Sequence, residues 1–139
     1  MITRTLSFVV SLVLLTGCSS NTPTGPTTDF IAVESIMPVA GTTLTAGDRV
    51  TFTAVVTATV VTAESGLTAL LLQDHRNLSL FEVGERVPEA SLRKGTATVT
   101  LSHTITIPAT ATSINALFPL FIDGSSVTRA VALRNYPVR

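Results

Sequence analysis

Apolar and polar residues alternate with a period of two along most of this chain. Val50, Phe52, Ala54, Val56, Ala58 and Val60 are interleaved with Thr51, Thr53, Val55, Thr57 and Thr59. Successive side chains on a strand point to opposite faces, so this stretch predicts a long strand with one buried face. After Gly95 the pattern returns. Ala97, Val99, Leu101, Ile105 and Ile107 share one parity, Thr96, Thr98, Thr100, Ser102, Thr104 and Thr106 the other, and Pro108 ends the run. Ile114, Ala116, Phe118, Leu120 and Ile122 mark a further face, with Pro119 making that strand edge-like or bulged because it lacks an N–H. Phe30–Ile36 and Val127–Tyr136 predict the first and last strands. Leu67–Gln73 is apolar without alternation and reads as a central strand covered on both sides.

Turn signals separate these runs: Pro38 with Ala40-Gly41, Ala46-Gly47-Asp48, Glu64-Ser65-Gly66, and Asp123-Gly124-Ser125-Ser126. Leu78–Val83 is one more short candidate. About seven strands with a turn roughly every ten residues predict an all-β chain folded as a single antiparallel sandwich. Ile36-Met37-Pro38-Val39-Ala40-Gly41 followed by Gly47-Asp48-Arg49-Val50-Thr51-Phe52 resembles the opening strands of bacterial immunoglobulin-like and fibronectin-III-like domains. The resemblance implies an immunoglobulin-like β-sandwich over residues 30–139. The chain departs from antibody-type domains in having neither paired cysteines nor a tryptophan.

The first residues follow another pattern. Arg4 precedes an almost wholly apolar run from Leu6 to Leu15, and small residues lead to Cys18, the sole cysteine. A charged start, a short apolar middle and a small-residue end predict a secretory signal peptide over residues 1–17. The run is roughly ten residues, where a spanning helix needs about 20. Leu15, Thr16, Gly17 and Cys18 resemble a bacterial lipobox, which implies a thiol alkylated by diacylglycerol and cleavage that leaves Cys18 as the new N-terminus. Two or three acyl chains anchor a protein durably where one is marginal. Residues 18–29 carry the lipidated cysteine and a polar, proline-containing tether, which spans roughly 30 Å when extended.

Composition narrows the partners. Formal charge balances over the whole chain, and removing Arg4 leaves the mature form at −1. Without basic runs or aromatic–basic interleaving, nucleic acid is not an expected partner. With Cys18 acylated no thiol remains for disulfides or redox work, so an apolar core has to hold the domain. Threonine supplies roughly one residue in six, and β-branched residues favour strands.

Eight of the chain's eighteen charged residues fall in one segment: Asp74, Arg76, Glu82, Glu85, Arg86, Glu89, Arg93 and Lys94. This polar segment is the candidate partner face. No nucleophile elbow, paired zinc histidines, phosphate loop or CxxC motif is present, and no cofactor or metal is expected. His75 in Asp74-His75-Arg76-Asn77 reads as part of a surface turn. His103 shares parity with Leu101 and Ile105, so it either finds a partner, lies at the rim, or is turned outward by a bulge. Asp123-Gly124 offers one carboxylate, too few oxygens for calcium, and reads as a turn. Asn77-Leu78-Ser79 matches a glycosylation acceptor by coincidence.

These readings lead to a non-catalytic, membrane-anchored envelope lipoprotein that binds or scaffolds an envelope protein. The alternative is a carbohydrate-binding or hydrolase accessory domain contacting a glycan. It would need an aromatic platform drawn from Phe30, Phe52, Phe81, Phe118, Phe121 and Tyr136. Ser19 after the lipidated cysteine favours the outer membrane in a two-membrane cell, and otherwise the outer face of the cell membrane.

Overall fold

Threonine-rich alternation and glycine-marked turns produce six antiparallel strands in a computed structural model that describes residues 25–139. They are β1 (Phe30–Met37), β2 (Arg49–Ala69), β3 (Leu71–Asp74), β4 (Glu89–Thr106), β5 (Ser113–Ile122) and β6 (Ala130–Pro137). The fold is all-β and sandwich-like, as the periodicity predicts. The expected signal peptide over residues 1–17 and the expected lipobox with Cys18 lie outside the described residues.

One layer has the N-terminal part of β2 at its centre, flanked by β1 and by the C-terminal part of β4. The second layer is centred on β5. One edge of β5 pairs with β6, and the other pairs with β3 and then with Gly66–Thr68 at the end of β2. β2 therefore belongs to both layers. It crosses at a corner where residues 61–64 face Lys94 alone, because the register jumps from Val60–Gly95 to Ser65–Arg93. Extra residues on one strand bend it and sharpen its twist.

Two expectations are corrected here. Glu64-Ser65-Gly66 does not end a strand, and β2 runs through it to Ala69. The glycine is required by close packing rather than by a turn. A Cβ on Gly66 would sit 2.9 Å from a Val60 methyl and 3.0 Å from the Phe121 carbonyl oxygen. Leu78–Val83 is not a strand, since only Ser79 bridges to Gln73. Gly84 instead takes φ +88 in a turn closed by the Glu85 N–H donating to Glu82 O, as a type II turn requires of its third residue.

The core lies between the layers. β2 contributes Phe52, Ala54, Val56, Ala58 and Val60, and β5 contributes Ile114, Ala116, Phe118, Leu120 and Ile122. Each large side chain fully buried here stabilises the fold by about 1.5–3 kcal/mol. Tyr136 on β6 packs edge-on against Phe52, with ring centroids 5.1 Å apart, and its hydroxyl donates to the Pro38 carbonyl at 2.8 Å. That bond ties β6 to the exit of β1. Val138 and Arg139 close the same end through backbone bonds to Thr112 and Leu44.

Candidate functional site

The charged segment 74–94 resolves into three separate places. Asp74 ends β3 and is buried. Its carboxylate accepts hydrogen bonds from the Arg76 and Leu78 amides and from the Arg76 guanidinium, at 2.6–3.1 Å. Burial pushes its pKa up, but the Arg76 side chain and those two amides outweigh burial and hold it below the usual 3.8. Asp74 and Arg76 thus build the turn into which Asn77 fits at φ 63. His75 accepts a hydrogen bond from the Thr112 amide at its Nδ1, 3.3 Å away, joining two loops.

The second place is the loop over the β4 edge. Glu85 turns inward, accepting the Glu82 amide at one carboxylate oxygen and approaching His103 Nε2 to 3.1 Å with the other. The direction of approach does not suit a hydrogen bond, so the contact is one of proximity. Phe81 stacks on the imidazole with centroids 4.4 Å apart and planes inclined by 32°. Of the three possibilities for His103, the structure shows a rim position, beneath the 81–85 loop, with Nε2 lacking a hydrogen-bond partner among the described residues. Arg49, Glu82, Glu85, Thr104 and Thr106 edge a polar cavity of about 270 Å³ beside it. Arg86 and Glu89 form an exposed pair at 3.7 Å.

The third place is the corner. Lys94 Nζ lies 2.8 Å from Glu64 Oε1, and hydrogen bonding to Glu64 raises the lysine pKa. Arg93 is exposed in the adjoining register position. On the other side of the bulge, Asp29 accepts hydrogen bonds from the Val61 and Thr62 amides and from the Thr62 hydroxyl. The Thr62 hydroxyl, then the two amides, lower the Asp29 pKa. The chain therefore enters the sandwich at a fixed point. Asp123 accepts from Ser65 at the same end of the molecule.

The two broad outer faces have opposite chemistry. On the first layer, hydroxyls pair directly across β2 and β4: Thr51–Thr104, Thr53–Ser102, Thr57–Thr98 and Thr59–Thr96, at 2.7–3.0 Å. On the second layer the rows are apolar. Leu71, Leu117 and Leu133 are register neighbours, as are Pro119 with Val131 and Leu67 with Phe121. At the end remote from Asp29, Gln73, Asn115 and Asn135 form an amide row closed by a 2.7 Å bond from Asn135 to Asn115.

Sequence reasoning picked the charged segment and missed this apolar face. Its signal was present in Leu117, Pro119, Phe121, Val131 and Leu133, apolar residues of the outward parity. Leu67–Gln73 was read as covered on both sides. Thr68, Leu70 and Leu72 are indeed buried, and so is Ala69 on the outer side, yet its outer neighbours Leu67, Leu71 and Gln73 are only half covered. Among the aromatics, Phe52, Phe118 and Tyr136 belong to the core. Neither protein-family models nor curated proteins match the chain.

Proposed function

We propose that this chain is a non-catalytic envelope lipoprotein, an immunoglobulin-like binding or scaffolding module held at a membrane through Cys18. The observation that carries the reading is the order of its parts. A lipobox-like Leu15-Thr16-Gly17-Cys18 ends an apolar segment, a polar tether follows, and the tether's last residue is clamped. Clamping Asp29 at the corner sets which end of the sandwich faces the anchor. Strands of both layers then run outward from that end.

The chemistry of the domain supports a contact role. Within the 74–94 segment Asp74 and Arg76 are engaged in a turn, Glu85 in the His103 contact and Lys94 in the corner pair, while Glu82, Arg86, Glu89 and Arg93 are exposed. The broad apolar face is free to meet a partner. Labelling of cells with a fatty-acid analogue, followed by membrane fractionation, tests the anchor. The native chain should carry label and sediment with membranes, and Cys18→Ala should do neither. An unlabelled native chain in the soluble fraction would sink the proposal. Cross-linked pull-down with the lipidated bait then identifies the contact, with Cys18→Ala as control.

A further inference from the structure

A strand that is apolar on successive residues is stable where both of its faces are covered. Leu67–Gln73 has that composition, but among the described residues its outer side is covered only at Ala69, and Leu67, Leu71 and Gln73 are half exposed. Its outer side continues across β5 and β6 as one apolar surface. Val131 and Leu133 are 55% and 51% exposed there, and Leu67, Leu71, Leu117 and Phe121 are half-buried. The opposite face of the molecule, with its paired threonine hydroxyls, shows what a water-facing surface of this chain looks like. The apolar face departs from it residue by residue.

We propose that a second copy of this chain covers this face, the two domains packing sheet to sheet with their tethers at the same end. Charge is the first argument. None of the side chains in the apolar rows or the amide row is ionisable, and the nearest charge on this face, Glu89 opposite Ala69, lies on the outer β4 edge, so these rows meet their own copy without like-charge repulsion. Neither an anionic membrane nor a charged partner finds a complement in it.

Self-complementarity is the second. Sheets pack face to face with strand directions within about 30°. A twofold axis lying between the sheets along the strand direction sets each row against its own copy. Leu71, Leu117 and Leu133 meet leucines, and Gln73, Asn115 and Asn135 meet amides. An amide both donates and accepts, so it pairs with its own kind. The same axis leaves both Asp29 corners pointing one way, as two copies anchored in one membrane require. An axis across the strands would instead set amides against Phe121 and send the tethers in opposite directions.

Area is the third. Three strands about 4.8 Å apart and roughly eight residues long give a footprint of about 400 Å². Two such faces bury about 800 Å², below the roughly 1,200–2,000 Å² of stable complexes. The pairing is therefore weak in free solution and becomes effective where a shared membrane concentrates both copies. In this respect the inference rests on the lipid-anchored reading.

The test uses the full chain in its own membranes. With Cys18 acylated, Leu117→Cys supplies the only free thiol, and a short bis-maleimide joins it to its counterpart across the twofold axis. Thr100→Cys on the threonine face is the collision control. The expected result is a homodimer at Leu117→Cys about tenfold or more above the control, abolished when Leu133→Asp is added. Thr100→Cys carrying Leu133→Asp should retain the control yield, showing that the added charge does not unfold the domain. Equal yields at the two positions, no dimer at Leu117→Cys, or a conjugate with a different protein would each overturn the proposal. Fractionation of the same cells reads the anchor separately. Should the native chain prove soluble, amide shifts of the purified chain at rising concentration decide the pairing: movement confined to β3, β5 and β6 upholds it, and none refutes it.

Discussion

The carboxylate of Asp29 accepts hydrogen bonds from both the amide and the hydroxyl of Thr62, so the residue that precedes β1 is fixed to the widest irregularity of β2. A bulge of four residues has amides that no ladder satisfies, and an unpaired donor costs about 1–3 kcal/mol when buried. Here a carboxylate from outside the strand takes two of them.

Asp29→Ala is expected to speed amide exchange at Val61 and Thr62 and to expose the preceding segment to proteases. The folded form holds Asp29 ionised below the ordinary 3.8. Its stabilisation is therefore complete above that value and disappears as pH falls through the lowered one. Wild type and variant should differ in exchange at neutral pH and converge in strong acid. Unchanged protection of Thr62 at neutral pH would rule out the clamp.

Tyr136→Phe removes the hydroxyl that donates to Pro38. The cost should be about 1 kcal/mol in denaturant unfolding, the size of one net hydrogen bond. Burial pushes the Tyr136 pKa up to about 12, against the ordinary 10.0. Between those values the unfolded chain loses the proton and the folded chain keeps it. Stability should fall there by about 1.4 kcal/mol per pH unit. The fall should be absent in Tyr136→Phe, and its persistence would assign it to another group.

Thr68 is fully buried and its hydroxyl has no hydrogen-bond partner among the described residues. Valine has nearly the same shape and no polar atom to desolvate. Thr68→Val should raise the unfolding free energy by about 1–2 kcal/mol. A lower midpoint in urea would mean that the hydroxyl is satisfied in solution.

Gly66→Ala should destabilise by about 1–3 kcal/mol, the usual cost of overpacking. The added methyl meets the Phe121 carbonyl, which is held in the sheet and cannot yield as a side chain tip would. Gly25→Ala, where a Cβ meets nothing within 4 Å, is the control, and equal melting temperatures for the two variants would count against the close approach.

Much of this fold could be read from alternation. Thr51 to Val60 and Thr96 to Ile107 lie where their periodicity puts them, because each parity meets one solvent and one core. The corner could not be read so. Glu64-Ser65-Gly66 carries the composition of a turn, and nothing local distinguishes a reversal from a bulge that shifts a strand to another layer. That choice is made by packing against Val60 and by Phe121 and Lys94, which are distant in sequence. At the candidate site, the parity of His103 predicted its buried face, whereas its Glu85 and Phe81 neighbours arise from how the 82–85 turn folds back. The charged residues of 74–94 stand out by composition, and composition does not separate Asp74, Arg76, Glu85 and Lys94, which are engaged within the chain, from Glu82, Arg86, Glu89 and Arg93, which are exposed. The apolar face was obscured because a residue covered by a core and one covered from outside have the same hydropathy.

Because β2 forms hydrogen bonds in both layers, neither layer can open without disturbing the other. Opening around β5 strips Gly66–Thr68 of one of their two ladders, leaving only Ala90–Leu92 of β4 beside them, and opening around β1 and β4 loosens the strand that carries those residues. The domain should accordingly unfold in a single cooperative step, with its most slowly exchanging amides spread along β2 rather than confined to one half. The same strand makes assembly slow. Its register joins Arg49 to Thr106 and Val60 to Gly95, contacts so distant along the chain that loop closure must come first. A newly made chain would thus remain open, with its strand edges unpaired, for longer than a helical protein of equal length.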